Sequence, residues 1–138
     1  MITAIDTNIL LDILIPNPNF CDAAVTAIED SAAAGSLVIC DLVYAELCVS
    51  FPSQRACDEF LEDSDIGVES PTRAASFAAS RAWRQCRRQG GPRTRILADF
   101  LIGAHAQFQA NCLLSRDRGF YRKFFPSLTL IDPTARMA

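Results

Sequence analysis

Four acidic residues lie within or directly beside apolar stretches of this sequence. They are Asp6 in MITAIDTN, Glu46 in VYAEL, Asp99 in ILADFLIGAHA and Asp117 in LLSRD. A carboxylate in an apolar setting is costly to desolvate unless a cation or hydrogen bonds compensate its charge. Because Lys123 is the only lysine, we expect the compensation to come from arginine, from protonation or from a divalent cation with oxygen ligands.

Other common catalytic arrangements are missing from the sequence. His105 is the only histidine, so a histidine-rich zinc site is excluded, and a Ser-His-Asp triad would have to use this one residue. It follows Asp99 by six residues, about 240° around a helix, and we expect it to point away from that carboxylate and to be structural. Neither G-x-x-x-x-G-K-S/T nor G-x-G-x-x-G occurs, which argues against ATP and NAD chemistry. Oxygen ligands with arginines nearby suit Mg²⁺ or Mn²⁺ acting on phosphate esters.

The elements that must position the four acids alternate along the chain between short apolar runs and helical segments. This alternation is typical of a three-layer α/β domain with a mainly parallel central sheet of about five strands, and we expect one domain over residues 1–138. Thr7 and Asn8 suit the N-cap of the first helix and Asp41 that of the third. The predicted strands are 1–5, 36–40, 66–70, 112–115 and 128–132, and the predicted helices are 9–14, a second to about 33, 42–50, 53–63, 72–89 (closed by Gly90-Gly91-Pro92) and one from about 97.

The four acids are expected to converge at one edge of this sheet. Asp6 and Asp117 each follow a predicted strand directly, and ligands bind at the carboxyl ends of parallel strands, where the strand order reverses. Glu46 and Asp99 lie early in helices and can reach the same edge. Gly103 shares the helix face of Asp99 and is small enough to let another element approach closely. Since each acid alone could be an ordinary cap or turn residue, the joint placement supports the prediction.

Charge is divided unevenly between the two halves of the chain. Residues 1–72 carry thirteen acidic residues against Arg55, whereas residues 73–138 carry twelve basic residues against three acidic ones. A net charge of −3 therefore does not exclude a polyanionic partner, although folding could intermix the two halves. Arg81, Arg84 and Arg88 share one face of the predicted helix 72–89 and could follow an RNA backbone or simply be solvated.

The remaining composition predicts a cytoplasmic protein. No apolar run approaches the roughly 20 residues of a membrane span, and the N-terminus lacks the basic segment of a signal peptide. The six cysteines lie far apart, without a C-x-x-C pair. We expect most of them to be small buried side chains in a reducing compartment.

Four segments together resemble the PIN-domain ribonucleases, and in particular the VapC-type toxins of bacterial VapBC toxin–antitoxin pairs. The resemblance spans almost the whole chain, and the order and spacing of the four segments make it specific. These segments are IDTNILLD, DLVYAEL, RILADFLIGAHA and LLSRDRGFYRKFFPSLTLIDP.

The resemblance implies a metal-dependent endoribonuclease whose catalytic acids correspond to Asp6, Glu46, Asp99 and Asp117. With the carboxylate chemistry above, it implies hydrolysis of an RNA phosphodiester with Mg²⁺, for which Mn²⁺ could substitute, lowering the pKa of the attacking water. Asp6, Asp99 and Asp117 are the expected metal ligands, and Glu46 is expected to orient water or metal from outside them.

The supporting polar positions of the family correspond to Thr7, Asn8 and Ser115. Ser115 stands where a threonine is more usual, and it keeps the hydroxyl. Arg116 and Arg118 flank the last of the four acids and could contact a substrate phosphate or serve only as surface charge.

The resemblance further implies a homodimer and a cognate VapB-type antitoxin, with no membrane association. Two other classes remain open. A phosphate-transferring α/β domain of the receiver or phosphatase type also gathers aspartates at strand ends, but it would need a lysine at that edge, and Lys123 is poorly placed. A non-catalytic RNA- or protein-binding module on the same fold would bind RNA without cleaving it.

Overall fold

Five short strands form one parallel sheet in the computed structural model of this protein, which describes residues 1–91 and 95–136. The strand order is β3-β2-β1-β4-β5, and every neighbouring pair is parallel. The predicted α/β class and parallel sheet are confirmed. The strands are β1 (Ile2–Ile5), β2 (Ser36–Cys40), β3 (Ile66–Glu69), β4 (Cys112–Leu114) and β5 (Leu130–Ile131).

Helices cover both faces of the sheet and give the predicted three layers. Helices α1 to α4 share one hydrophobic core with the sheet, and α5 to α7 share a second. The helices are α1 (Thr7–Leu14), α2 (Cys21–Ala34), α3 (Asp41–Cys48), α4 (Gln54–Asp63), α5 (Arg73–Arg88), α6 (Leu97–Gln109) and α7 (Arg118–Phe124), and a short 3-10 helix covers Pro133–Arg136.

The two cores follow from the alternation of side chains along the strands. Ile5 of β1 and Leu114 of β4 face the first core, whereas Ala4 and Leu113, one residue earlier in each strand, face the second. Phe100 of α6 is fully buried in the second core, where aromatic rings of α7 surround it. Both faces of the central strands are therefore buried, as expected for a parallel sheet.

Both predicted helix caps are wrong, because they lie one or two residues after the observed ones. Asp6, rather than Thr7 or Asn8, caps α1, because its side chain accepts a hydrogen bond from the backbone of Thr7. Asp41 is the first residue of α3, and Cys40 precedes it as the cap. The backbone of a parallel strand here turns into a helix within a single residue, so both helices begin at the very edge of the sheet.

Helix α7 was not predicted from the sequence. No element was assigned to residues 118–127, and Gly119 within them is a weak helix former. Aromatic packing overrides this preference, since Phe120 and Phe125 bury themselves against Phe100. β5 is also shorter than predicted, and Pro92, expected to help close the preceding helix, lies outside the described residues.

Two composition-based expectations can be compared with the structure. Within the described residues, no helix is both long and apolar enough to cross a membrane. All six cysteines are free thiols and four of them are buried, as predicted for small core side chains: Cys40, Cys57, Cys86 and Cys112.

Candidate active site

Strands β1 and β4 are neighbours in the sheet but far apart in the chain, so the strand order reverses between them. Ile5 of β1 pairs with Leu114 of β4, and the backbone of Asp6 donates to Leu114 at 2.9 Å. This register places Asp6 beside Ser115 at the carboxyl edge. The site predicted from the sequence thus begins at the switch point of the sheet, where parallel α/β folds bind ligands.

The carboxylate of Asp6 lies at the centre of a hydrogen-bond network. Its Oδ1 accepts from the backbone of Thr7 at 2.8 Å, which fixes the first turn of α1. Its Oδ2 accepts from Ser115 Oγ at 2.8 Å, Tyr121 Oη at 2.9 Å and Asn8 Nδ2 at 3.3 Å. Donors from α1, from Ser115 just after β4, and from α7 therefore compensate a side chain that is only 7% exposed.

Ser115 connects Asp6 to Asp117 through one fully used hydroxyl. Its Oγ donates to Asp6 and accepts from Asn8 Nδ2 at 3.2 Å and from the backbone of Asp117 at 3.0 Å. A hydroxyl offers one donor and two acceptor positions, and all three are occupied here. Ser115 thus connects Asp6, Asn8 and the backbone of Asp117 through its hydroxyl.

Burial dominates the electrostatics of Asp6. It raises the pKa of Asp6, although the hydrogen bonds from Ser115, Tyr121 and Thr7 oppose the rise, and the charge of Glu46 adds to it. Burial also raises the pKa of Tyr121 well above its ordinary value, with the charges of Asp6, Asp117 and Asp99 adding to the effect. Tyr121 therefore remains a neutral hydrogen-bond donor, and the charges of three of the predicted acids act on its hydroxyl.

Asp117 has a cationic partner that the sequence analysis did not identify. Arg95 Nη1 lies 2.7 Å from Asp117 Oδ2, and the guanidinium carbon lies 4.3 Å from the centre of the Phe120 ring. Burial alone would lower the pKa of Arg95, but the hydrogen bond and charge of Asp117, together with the charge of Asp99, raise it. A permanently charged arginine therefore lies beside two of the four acids.

Glu46 and Asp99 complete the acidic group from the surrounding helices. Glu46 is exposed on α3 and accepts from Thr7 Oγ1 at 2.7 Å, which ties α3 to the start of α1. Asp99 is half-buried in the first turn of α6, where its Oδ2 accepts from the backbone of Ile96 at 3.0 Å. Gly103, on the same face of α6, packs against the ring of Phe125 rather than against a backbone element.

The two arginines that flank Asp117 form ion pairs away from the four acids. Arg116 binds the buried Asp12 of α1 through Nε at 2.6 Å and Nη2 at 3.0 Å, and it covers the ring of Phe20 at 4.2 Å. Arg118 Nε lies 2.8 Å from Asp132 Oδ2, but the two groups are not aligned as a hydrogen bond. A contact of either arginine with substrate phosphate stays a prediction, which for Arg116 requires release of Asp12.

His105 lies apart from the acids, as its position on the helix predicts. It is buried on α6, and its Nε2 lies 2.8 Å from Glu69 Oε1 at the end of β3. It therefore connects α6 to the sheet edge rather than to the candidate active site.

The side chains of this site are of the types that bind a divalent metal. They are not arranged around a single preformed metal position. Within residues 1–91 and 95–136, no three carboxylate, histidine or cysteine side chains are grouped to hold one ion. Each acid instead has a partner of its own: Thr7, Ser115 and Tyr121 for Asp6, and Arg95 for Asp117. Hard oxygen ligands are nevertheless what Mg²⁺ prefers, and the acids supply such ligands.

Two contributors to the site, Tyr121 and Arg95, were missed from the sequence. Tyr121 lies in α7, which was not predicted, and its only signal was a hydroxyl within the aromatic run GFYRKFF. Arg95 lies four residues before Asp99 in an irregular segment, where helical spacing does not indicate which way a side chain points. Both depend on tertiary packing against Phe120.

Comparisons with known proteins identify the family and support the fold. The family model described as PIN domain matches residues 3–125. A comparison with curated proteins found no match to the sequence of this chain.

Several solved structures share the fold at low sequence identity. VapBC2 from Rickettsia felis, bound to a DNA fragment from its promoter, matches with 21% identity and a TM-score of 0.73, covering 96% of this chain and 98% of that one. VapBC-1 from nontypeable Haemophilus influenzae matches with 23% identity and a TM-score of 0.74, covering 97% and 99%. A toxin–antitoxin complex from Klebsiella pneumoniae has 21% identity and a TM-score of 0.61, covering 95% and 97%.

Proposed function

Because the chain belongs to the PIN domain family, we propose that it is a Mg²⁺-dependent endoribonuclease, with Mn²⁺ as a possible substitute, and the toxin of a VapBC-type toxin–antitoxin pair. PIN domains are nucleases and generally use divalent metal ions. The observation that carries the proposal is the network at the β1–β4 switch point, where Asp6, Ser115 and Asp117 are joined by hydrogen bonds. Its acids are the residue types that phosphodiester hydrolysis with a divalent metal requires.

In this proposal, Asp6, Asp99 and Asp117 would hold the metal, and Glu46 would orient water or metal through its contact with Thr7. When bound, Mg²⁺ would lower the pKa of the attacking water and neutralise charge on the phosphate. The contacts around Asp6 support this part of the proposal. Tyr121, Ser115 and Asn8 hold the Asp6 carboxylate in one orientation, as partners of metal ligands commonly do.

Arg95 supplies the positive charge at the other side of the site. Its guanidinium is held between Asp117 and the Phe120 ring, within reach of a phosphate bound at the acids. A guanidinium can bind two phosphate oxygens at once, so Arg95 could orient the substrate after Asp117 turns to a metal. No lysine fills this place, since Lys123 lies exposed on α7 over the ring of Phe124. This disfavours the receiver or phosphatase alternative.

The test is cleavage of total RNA by the purified chain, with millimolar Mg²⁺ or with EDTA, followed by mapping of the cut ends. Asp6→Asn and Asp99→Asn should each lose at least about 100-fold in rate, because removing a ligand costs more than the ten- to hundred-fold typical of its outer partners. Asp63→Asn, an exposed acid at the end of α4, is the matched control and should stay within about twofold. Binding of RNA without cleavage in Mg²⁺ would favour the non-catalytic module.

Metal binding can be measured without activity. Mg²⁺ should raise the melting temperature of the wild-type protein more than that of Asp117→Asn, since a ligand stabilises only the folded state that binds it. Equal shifts would remove Asp117 from the metal site, whatever the cleavage assay shows.

The toxin assignment rests on likeness to VapBC structures and is tested in cells. Expression of the wild-type chain should slow bacterial growth, and Asp6→Asn should not. The proposal also includes a cytoplasmic location, a homodimer and a cognate VapB-type antitoxin. The mass of the purified chain by light scattering tests the dimer, and co-purification with the product of a neighbouring gene tests the antitoxin.

A further inference from the structure

We propose that a cleft between the end of α5 and the start of α6 binds a nucleotide of the RNA substrate next to the cleaved phosphate. The cleft has a volume of about 640 Å³, and its walls include Trp83, Arg87, Gly91, Arg95 and Ile96. This inference rests on the proposed nuclease function and extends it to a binding subsite outside the four acids.

The cleft combines an aromatic side chain with positive charge. Trp83 is half-buried and packs against the core shared by α5, α6 and α7. The guanidinium carbon of Arg87 lies 5.1 Å from the centre of the Trp83 ring. Unpaired nucleic-acid bases stack on aromatic rings and on arginine guanidinium planes, while arginines also bind the phosphates between them.

The composition of the walls favours a nucleotide over an apolar ligand or a basic peptide. Both charged side chains that line the cleft, Arg87 and Arg95, are positive, and no carboxylate lines it within the described residues. Ile96 adds an exposed apolar side chain, 59% accessible, beside these charges. A ligand that combines a planar apolar part with a negative group matches this arrangement, and a nucleotide is such a ligand.

Two glycines shape the wall that joins the helices. Gly90 has a φ of 66°, which lets the chain reverse direction after α5. At Gly91, an added Cβ would lie 2.4 Å from Cys86 Sγ and 2.8 Å from the Cys86 carbonyl oxygen. Only glycine therefore allows the backbone to turn back so closely against α5, leaving the cleft open beside Trp83.

Arg95 connects the cleft to the acidic site. It lines the cleft, and its Nη1 also lies 2.7 Å from Asp117 Oδ2. A base bound against Trp83 would thus bring its phosphate towards Arg95, directly beside the acids. The two regions form one continuous surface for a single strand, with base stacking at one end and hydrolysis at the other.

Trp83 is the only tryptophan in the chain, so its fluorescence reports directly on this cleft. The wild-type protein in EDTA is titrated with a short single-stranded oligoribonucleotide, and total binding is followed in parallel by anisotropy of a labelled copy. We expect a saturable change in Trp83 fluorescence with the same apparent Kd as the anisotropy signal. Base-free polyphosphate of equal charge, which can bind the arginines but cannot stack, should change the fluorescence less than RNA does.

Variants on α5 provide matched controls. Trp83→Leu should weaken oligoribonucleotide binding by about fivefold or more, as expected for the loss of one stacked base. Arg87→Gln should weaken it by about threefold or more. Arg73→Gln removes the same charge from an exposed position about 21 Å away along the same helix, and should change the Kd by less than about twofold. Circular dichroism confirms that each variant is folded.

The outcomes separate this subsite from the proposed activity. RNA binding that leaves Trp83 fluorescence unchanged, or a polyphosphate response equal to that of RNA, would overturn the subsite even if the chain cuts RNA. Equal weakening by Arg87→Gln and Arg73→Gln would overturn it as well. A saturable RNA response at Trp83 in a chain that fails to cut RNA with Mg²⁺ would instead support the subsite and refute the nuclease.

Discussion

At the scale of single residues, each acid of the candidate site is compensated in a different way. Asp6 is buried and surrounded by hydrogen-bond donors, Asp117 binds Arg95, and Glu46 is exposed to solvent. The sequence predicted that the acids would need compensation and suggested a metal. Hydrogen bonds and an arginine already provide much of it, so a metal would have to compete with these partners.

The raised pKa of Asp6 predicts a specific pH dependence of stability. Burial raises its pKa in the folded state above the unfolded value of about 3.9, so its charged form weakens the folded state at neutral pH. This penalty is removed as pH falls through the folded pKa towards the unfolded one. The stability of Asp6→Asn minus that of wild type, both measured in EDTA, should therefore be greatest near pH 7 and should shrink as pH approaches 4.

Thermal melting of both proteins across this pH range measures the difference in their stability. The titration of the other carboxylates affects both proteins alike and largely cancels in this difference. A difference in melting temperature that stays constant from pH 7 to pH 4 would contradict a raised pKa at Asp6.

The ion pair of Arg116 with Asp12 predicts a structural role for this arginine. Removing Arg116 leaves a carboxylate that is 6% exposed without its bidentate partner. Arg116→Met should lower the free energy of unfolding by about 2 to 4 kcal/mol, slightly less than for a fully buried pair because Arg116 itself is 29% exposed. Urea denaturation measures the change.

A double variant tests whether this loss comes from the unpaired carboxylate. Asp12→Leu combined with Arg116→Met should recover much of the stability, because an apolar pair leaves no buried charge. If the single variant keeps wild-type stability but binds RNA more weakly, the predicted phosphate contact of Arg116 would be favoured instead.

At the scale of elements, the close packing of α6 against the end of α7 holds the acidic edge together. A Cβ on Gly103 would lie 2.6 Å from Cε2 of Phe125, whose side chain is 4% exposed. Gly119, in α7, has no atom within 4 Å of the corresponding position. These two glycines therefore differ sharply in what an added methyl group would meet.

This contrast predicts opposite effects of the same substitution. Gly103→Ala gains about 1 kcal/mol in helix propensity but loses more by displacing Phe125, so the protein should be about 1 to 2 kcal/mol less stable. Gly119→Ala should be neutral or up to about 1 kcal/mol more stable. Chemical denaturation of both variants measures the difference, and equal stabilities would show that the Phe125 ring moves aside at little cost.

The elements also show how far the sequence determines the site. Apolar runs such as SLVIC and CLLS predicted β2 and β4, and the positions of Asp6 and Asp117 after strands predicted the correct edge. Tyr121 was missed because helix α7 is stabilised by aromatic packing rather than by its local sequence. Arg95 was missed because an irregular segment has no periodicity from which a side-chain direction can be predicted.

At the scale of the whole molecule, the charge asymmetry of the chain becomes an asymmetry of faces. Helices α1 to α4, which carry most of the acidic residues, pack on one face of the sheet. Helices α5 and α7, on the other face, contain basic residues and no acidic ones. Folding therefore separates the two halves instead of intermixing them. Although its net charge is −3, the protein has a basic face on the same side of the sheet as the cleft lined by Trp83.

This separation predicts that RNA binding depends on the basic face rather than on net charge. For single-stranded RNA, log K falls with log salt with a slope of about −0.7 for each phosphate contact. Arg84→Gln with Arg88→Gln removes two exposed charges on one side of α5 and should make the slope less steep by about 1.4. Glu62→Gln with Asp63→Asn removes two exposed charges from α4 on the opposite face and should leave the slope unchanged.

Anisotropy titrations in EDTA at several salt concentrations measure both slopes. If net charge alone governed binding, the two variants would show equal and opposite changes in affinity: the α4 variant would bind RNA more tightly and the α5 variant more weakly.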